Sequence, residues 1–274
     1  MKHIMHAGTL PNGTRELAAG KILPALWGAA GMFALGWLGL SRAYRATLRF
    51  YRANERAQPA ATNRVLELDG SASYVELPPN LLAGAREMTV EAWLKWDQLS
   101  ELPSVTFSYG EISGWFLVGS ADRNNIGCGL IGSAGLIGGS GAGLANILEL
   151  HQWYHVAAVA STNGILFYVN GSLVGTNAFQ ERLFTTGPVQ RAFLGQSEMG
   201  LSGRVDVLVG FRGQMDDVRL WNTARTAEQI RGSLGRMLGG SEAGLVGLWS
   251  FDDPANPGRD ASPGAHHGKL LGRA

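Results

Sequence analysis

The stretch Trp153–Gly175 reads WYHVAAVASTNGILFYVNGSLVG, and it decides the fold. Asn170-Gly171 stands between two apolar runs, and a type I′ turn needs positive φ at both central positions, which Asn and Gly tolerate. Ile165–Gly175 is therefore read as a β-hairpin, and Trp153–Ser161 before it as another strand. Period-two segments recur on either side. In MTVEAWLKW (Met88–Trp96), Val90, Ala92, Leu94 and Trp96 share one face, and Thr89, Glu91, Trp93 and Lys95 the other. RAFLG (Arg191–Gly195), QMDDVRLW (Gln214–Trp221) and GLVGLWSFD (Gly244–Asp252) complete the set. Short strands with a turn about every ten residues and little helix predict an all-β, two-sheet sandwich. One short helix is expected, because Thr226 and Gln229 have capping-box spacing and Ile230 supplies an apolar contact. The first and last strands are expected to pair.

Composition agrees. The 274 residues include 39 Gly, and only 16% are charged, which suits a turn-rich β protein better than a helical bundle. Residues 1–57 hold eight Lys/Arg against Glu16 and Glu55, while the rest is mildly acidic. The body thus lacks the basic balance of a nucleic-acid binder, and none is expected as a partner. The single cysteine, Cys128, rules out an intrachain disulfide and is read as a small buried residue.

The first sixty residues differ in kind. Ile22–Leu40, ILPALWGAAGMFALGWLGL, has 19 residues and no charge. At ~1.5 Å per residue it matches a bilayer core, and it is read as a transmembrane helix rather than a secretory signal. The expected division is a tail over 1–21, an anchor with an arginine-rich extension over 22–57, a linker over 58–63 and a sandwich over 64–274. Arg42, Arg45, Arg49, Arg52 and Arg56 recur at helical spacing, placed to meet anionic lipid headgroups.

VLELDGSASYVELP (Val65–Pro78), MTVEAWLKW, WYHVAAVASTNGILFYVNGSLV, FRGQMDDVRLWNTARTAEQI and GLVGLWSFDDPANPGRDASPGAHHGKLLG follow one another over residues 64–272. In this order they resemble the laminin G-like jelly-roll family of the concanavalin A-like lectin/glucanase fold. The resemblance implies an antiparallel jelly roll of roughly a dozen strands. It also implies binding rather than catalysis, of glycans or proteins at extracellular surfaces, often with one calcium ion. Carried over, the calcium ligands are Asp69 with Asp216 or Asp217, helped by backbone carbonyls and by Asn63 or Ser71. The alternative is that Asp69 caps its turn and Asp217 pairs with Arg219. Neighbours on a strand point to opposite faces, so Asp216 and Asp217 cannot both face the core.

Glycosidase chemistry needs two acids facing each other across a cleft. The glucanases of this superfold carry E-x-D-x-x-E or E-x-D-x-E on one strand, and Glu67-Leu68-Asp69-Gly70 has no third acid, so no enzyme is expected. His266-His267 lacks zinc-site spacing and reads as a solvated loop. Two loops depart most from the family pattern, Ser100–Trp115 and the glycine-rich Gly127–Leu144, in which the glycines either let small strands pack tightly or make a mobile loop. The latter has neither the Lys nor the helix of a nucleotide motif. Tyr109, Trp115, Arg123, Asn124 and Asn125 are the expected sugar contacts. Trp115 and Trp153 are equally readable as core, and Trp93, Trp221 and Trp249 are core. Two functions stay open: a membrane-anchored binding module with its sandwich outside the cytoplasm, and a cytoplasmic interaction domain of a larger, permease-like membrane complex. The arginine row favours the second orientation by the positive-inside rule, and the family resemblance the first.

Overall fold

The computed structural model describes residues 63–111, 114–132, 135–178, 189–197 and 209–274. The anchor over 22–40 and the arginine row fall outside these. Among the described residues no helix is long and apolar enough to cross a membrane.

Two antiparallel sheets enclose one core. The first runs β1 (Leu66–Asp69), β13 (Arg212–Trp221), β3 (Met88–Trp96), β8 (Trp153–Ser161), β9 (Gly164–Val169), β10 (Ser172–Asn177), and β14 (Leu245–Trp249) also pairs with β13. The second runs β15 (Lys269–Leu271), β2 (Tyr74–Leu77), β11 (Arg191–Leu194), β4 (Ser104–Glu111), β5 (Gly114–Asp122), β6 (Asn125–Gly132), β7 (Gly135–Leu144). β12 (Val209–Gly210) joins it parallel to β4. The alternation along each strand builds the core between them: Val90, Leu94 and Trp96 from β3 meet Phe107, Phe116, Val118 and Ile126 from the second sheet. Trp96 packs edge-on against Tyr154 and Phe211, with ring centroids 6.1 and 5.3 Å away, a preferred aromatic geometry. The hairpin turn forms as the dipeptide demands, with φ of 49° at Asn170 and 73° at Gly171. The Asn170 side chain also accepts a hydrogen bond from the His155 amide at 2.8 Å.

The first and last strands do not pair, contrary to expectation. β15 pairs with β2 in the second sheet, whereas β1 pairs with β13 in the first. The apolar closing strand β14 also takes β13, opposite Val218–Trp221, while β1 takes Arg212–Met215. Between these partners β13 carries a bulge: its register against β3 shifts between Asp216 and Arg219, and Asp217 adopts φ 48°. An extra residue at that point lets both Met215 and Val218 reach the core. The two adjacent aspartates therefore sit at a bulge, not on a regular strand.

The outer face of the first sheet is covered as well. Helix α1 (Ala227–Ser233) begins with the expected capping box at Thr226 and Gln229, and its Ile230 packs on Ala157, Val159 and Tyr168. Beneath it lies a buried charged group. Glu91, fully buried, pairs with Arg225 through one carboxylate oxygen and stands 3.3 Å from His155 Nε2 with the other. Arg219, also fully buried, donates to the Ser233 and Arg236 carbonyls at 2.9 Å each and to Asp217 at 3.2 Å. The Arg225 guanidinium lies 4.0 Å over the Trp221 ring. Trp93, Trp221 and Trp249 are buried, as expected.

Candidate functional site

Both stretches read as atypical loops prove to contain strands. Ser100–Trp115 contains β4, and Gly127–Leu144 makes most of the β6–β7 hairpin, so the packing role read for its glycines is the one the backbone shows. Ile126, Cys128, Leu130 and Ala142 face the core, so the alternate positions face outward, and these are glycines. Across the strands Val105 pairs with Gly119, Gly119 with Gly127 and Gly127 with Gly143, and the next outward row pairs Gly129 with Gly141. The result is a trough of about 370 Å³ paved by backbone. Every described residue that lines it comes from β4–β7 or their connections and none from the first sheet, which puts it on the outer face of the second sheet.

The glycines also have a packing reason. A Cβ on Gly119 would lie 1.9 Å from the Ser104 carbonyl oxygen, and one on Gly143 would lie 2.4 Å from that of Ile126. Close approach of neighbouring strands forbids a side chain there. Gly141 is different, since its Cβ would meet only the Cys128 oxygen, at 3.5 Å.

One end of the trough is rimmed by three connections. Asn125 lines it directly, and its Oδ1 accepts from the Asn146 amide at 2.9 Å. The Asn124 carbonyl accepts from the Ile147 and Leu148 amides at 3.1 and 3.0 Å. Arg123, at the β5–β6 turn, pairs with Glu101 of the β3–β4 connection at 2.7 Å, and both are exposed. Ser104 and Ser120, which share the register of core-facing Ile126, join their hydroxyls at 2.7 Å. Of the five expected sugar contacts, Asn125 lines the trough, and Arg123 and Asn124 precede it at the β5–β6 turn without lining it. Tyr109 does not: it is a core residue, because its parity on β4 matches Phe107. Its hydroxyl donates to Gln190 Oε1 and accepts from the Leu82 amide at 3.2 Å, and burial pushes that hydroxyl up to about 12. Trp115 pairs through its backbone with Gly110 and Ile131; its side chain lies outside the described residues. Trp153 is half-buried, with Lys95 Nζ 5.2 Å from its ring centroid. The Cys128 thiol faces the core, where burial drives it well above the ordinary range and leaves it inert.

The nominated calcium ligands separate into two places. Asp69 Oδ1 accepts from the Ser71, Ala72 and Ser73 amides at 2.9–3.0 Å, and these bonds hold its carboxyl well below the usual range. Asp216 is buried, accepting from Asn63 Nδ2 at 3.0 Å and from the Asp217 amide at 2.7 Å. Burial, reinforced by the Asp217 charge, pushes it up to about 8. Asp69 stands opposite Arg212 in the β1–β13 ladder. Asp216 lies four residues farther along β13, about 13 Å at strand rise. Ligands of one calcium ion must all lie 2.3–2.6 Å from it, so these carboxylates do not fit a single ion. Among the described residues no group of three or more His, Cys, Asp or Glu side chains is disposed to hold a metal. Asp69 caps its turn and Asp217 pairs with Arg219. The closing loop is held in the same manner: Asp260 accepts from the Leu248, Ser262 and His266 amides, and His267 Nδ1 accepts from the Asp260 amide.

Residues 69–231 match a laminin G family model described as the Concanavalin A-like lectin/glucanases superfamily. No curated protein matches the sequence. Among solved structures, the fold resembles a candidate carbohydrate-binding protein of Bacteroides ovatus at 19% identity and a TM-score of 0.55, over 76% of this chain and 59% of that one. It also resembles a heptameric SAP-like pentraxin of Limulus polyphemus at 19% identity and a TM-score of 0.50, over 65% and 84% of the two chains. At such identities the likeness is one of fold.

Proposed function

Because the chain belongs to the concanavalin A-like lectin/glucanases superfamily, we propose that its sandwich is a non-catalytic module that binds carbohydrate in the glycine-paved trough. The trough carries this reading: it is of small-ligand size, opens on one sheet at Gly141 and Gly143, and is lined at one end by Asn125. The Bacteroides protein of like fold is described as a candidate carbohydrate-binding protein, which supports the same ligand class. No Asp or Glu lines the trough among the described residues, whereas glycoside hydrolysis takes two carboxyl groups ~5–9.5 Å apart. Ile22–Leu40 supplies a membrane anchor in this reading, on the strength of its uncharged length. The arginine row beside it supports the second reading, a cytoplasmic domain that meets a protein partner.

The deciding experiment passes the full chain, in detergent micelles, over a panel of immobilised polysaccharides. Retention on at least one neutral polysaccharide is expected, and so is its loss in Gly141→Leu, which fills the trough without a backbone collision. Retention on none of them would overturn the carbohydrate reading in favour of the protein-partner one.

A further inference from the structure

The outer face of the first sheet holds a second cavity, a pit of about 430 Å³ beside helix α1. Its floor is buried Trp221, with the Arg225 guanidinium 4.0 Å over the ring. Gln229, Gly232 and Ser233 recur at i, i+3 and i+4, so one face of α1 forms a wall. Arg236, Leu238, Glu242 and Ala243 form the other. Both walls are braced. Arg219 holds the Ser233 and Arg236 carbonyls at 2.9 Å each, and Glu242 takes the Gly239 and Gly240 amides at 2.8 and 2.9 Å. Gly232 has no structural reason to be glycine. Its backbone is not left-handed, and a Cβ there would meet nothing within 4 Å. Glycine is the poorest helix former after proline, so helix stability is given up while this wall is left bare.

The polar groups of the pit are unevenly spent. Arg225 is matched by Glu91 beneath it and also donates to Ser233 Oγ and the Gln229 carbonyl. Glu242, the only Asp or Glu among the described residues that line the pit, has both oxygens engaged by the loop amides. Gln229 Oε1 accepts from the Thr226 amide, which leaves the NH2 group of that side chain unengaged among the described residues. The exposed Arg236 guanidinium likewise has no partner among them. Donors are left over and side-chain carboxylate acceptors are not, so a ligand here must accept. One unpaired guanidinium calls for a single negative charge, and its fork fits the two oxygens of a carboxylate. Leu238, Ala243 and Trp221 offer apolar contact to the remainder. We propose that this pit, independently of the trough, binds a small monocarboxylic acid with an apolar body, its carboxylate on Arg236 and Gln229 and its body against Trp221 and Leu238, beside Gly232.

The test titrates the full chain, in micelles and against micelles alone, with phenylacetate, hexanoate, phenylacetamide and benzylamine, followed by calorimetry. At least one of the two acids should saturate the chain below about 10 mM, as ligands of this size can. Phenylacetamide, the same shape without the charge, should bind at least about tenfold more weakly than phenylacetate, and benzylamine more weakly still. Arg236→Gln should weaken the acids by at least about tenfold, with part of the loss restored in Arg236→Lys. Gly232→Leu should abolish binding while its thermal midpoint is no lower than the parent's, because leucine is the better helix former. Should that variant unfold early, Arg236→Gln, at an exposed side chain, decides alone. Gly141→Leu, in the trough, should leave the acids bound as before. No saturation by either acid below about 10 mM would overturn the proposal, as would amide or amine binding as tight as the acid, or acid binding that survives Arg236→Gln.

Discussion

Replacing Glu91 with Gln should be among the most damaging shape-preserving changes in the described chain. Glu91 is fully buried and pairs with Arg225, whose side chain is only 10% exposed, and Arg219 lies fully buried nearby. Burial alone would raise the Glu91 carboxyl, yet His155, Arg225 and Arg219 outweigh it and hold it below its ordinary value. His155 is lowered by burial, which outweighs the pull of Glu91. The native pair is thus a carboxylate beside a neutral imidazole. Gln keeps the volume and removes the charge, leaving a buried guanidinium without its counter-ion, a change that costs about 3–5 kcal/mol. For a sandwich of this size each kcal/mol lowers the midpoint by about 2–4 °C, so a fall of roughly 6–20 °C is expected in thermal unfolding. The double variant with Arg225→Met removes both charges and should recover more than half of the loss. The pH dependence adds a check. Both groups have folded pKa values below their unfolded ones, so their stabilising contributions are present at higher pH and lost on acidification. His155 acts first, as pH falls below about 6.5, and Glu91 follows below the usual carboxylate range. A cost below about 1 kcal/mol for Glu91→Gln, typical of an exposed pair, would refute the reasoning, because it would mean that water reaches the group.

Two further outcomes follow from the β13 bulge and the β1 turn. Asp216 is raised to about 8 by burial and the Asp217 charge, so its sign is opposite: it favours the native state fully below its unfolded value, and that contribution declines as pH rises toward 8. Asp216→Asn should therefore stabilise the chain at pH 8, by an amount of order 2 kcal/mol, and change little near pH 4, as read by urea unfolding at the two pH values; destabilisation at pH 8 would show that the charge has a partner. Calcium and EDTA should give thermal midpoints within about 1 °C of each other, because Asp69 and Asp216 stand too far apart to share an ion. A rise of several degrees in calcium would show that they converge on one.

The sandwich was legible because its signals are local. Val90, Leu94 and Trp96 announce an inward face by period alone, Asn170-Gly171 announces its turn, and Thr226 with Gln229 announces the helix start. Which strands pair is not local. β1 and β14 carry ordinary apolar alternation, and nothing in either tells that they divide one edge of β13 at Asp217. The adjacent aspartates are the trace of that division, since an extra residue must be inserted for Met215 and Val218 both to face inward. Read as a strand they suggested a ligand set; placed at a bulge, one is buried against Asn63 and the other answers Arg219.

The trough was present in the sequence under another reading. In Ile126-Gly-Cys-Gly-Leu130 and Gly141-Ala-Gly-Leu144 glycine alternates with apolar residues at the period of a strand, with the apolar set inward. Glycine abundance argues for a loop only when it lacks that period; with it, glycine on one face means that something approaches that face closely. At Gly119 and Gly143 the neighbouring strand does so, within 1.9 and 2.4 Å of a Cβ. Gly141 has no such neighbour, for a Cβ there would meet only the Cys128 oxygen, at ordinary contact distance. Strand packing accounts likewise for Gly127, 2.8 Å from the Ala142 oxygen, and leaves Gly141 unexplained, which is why a leucine at that one position separates a floor kept clear for a ligand from a floor that is merely tight.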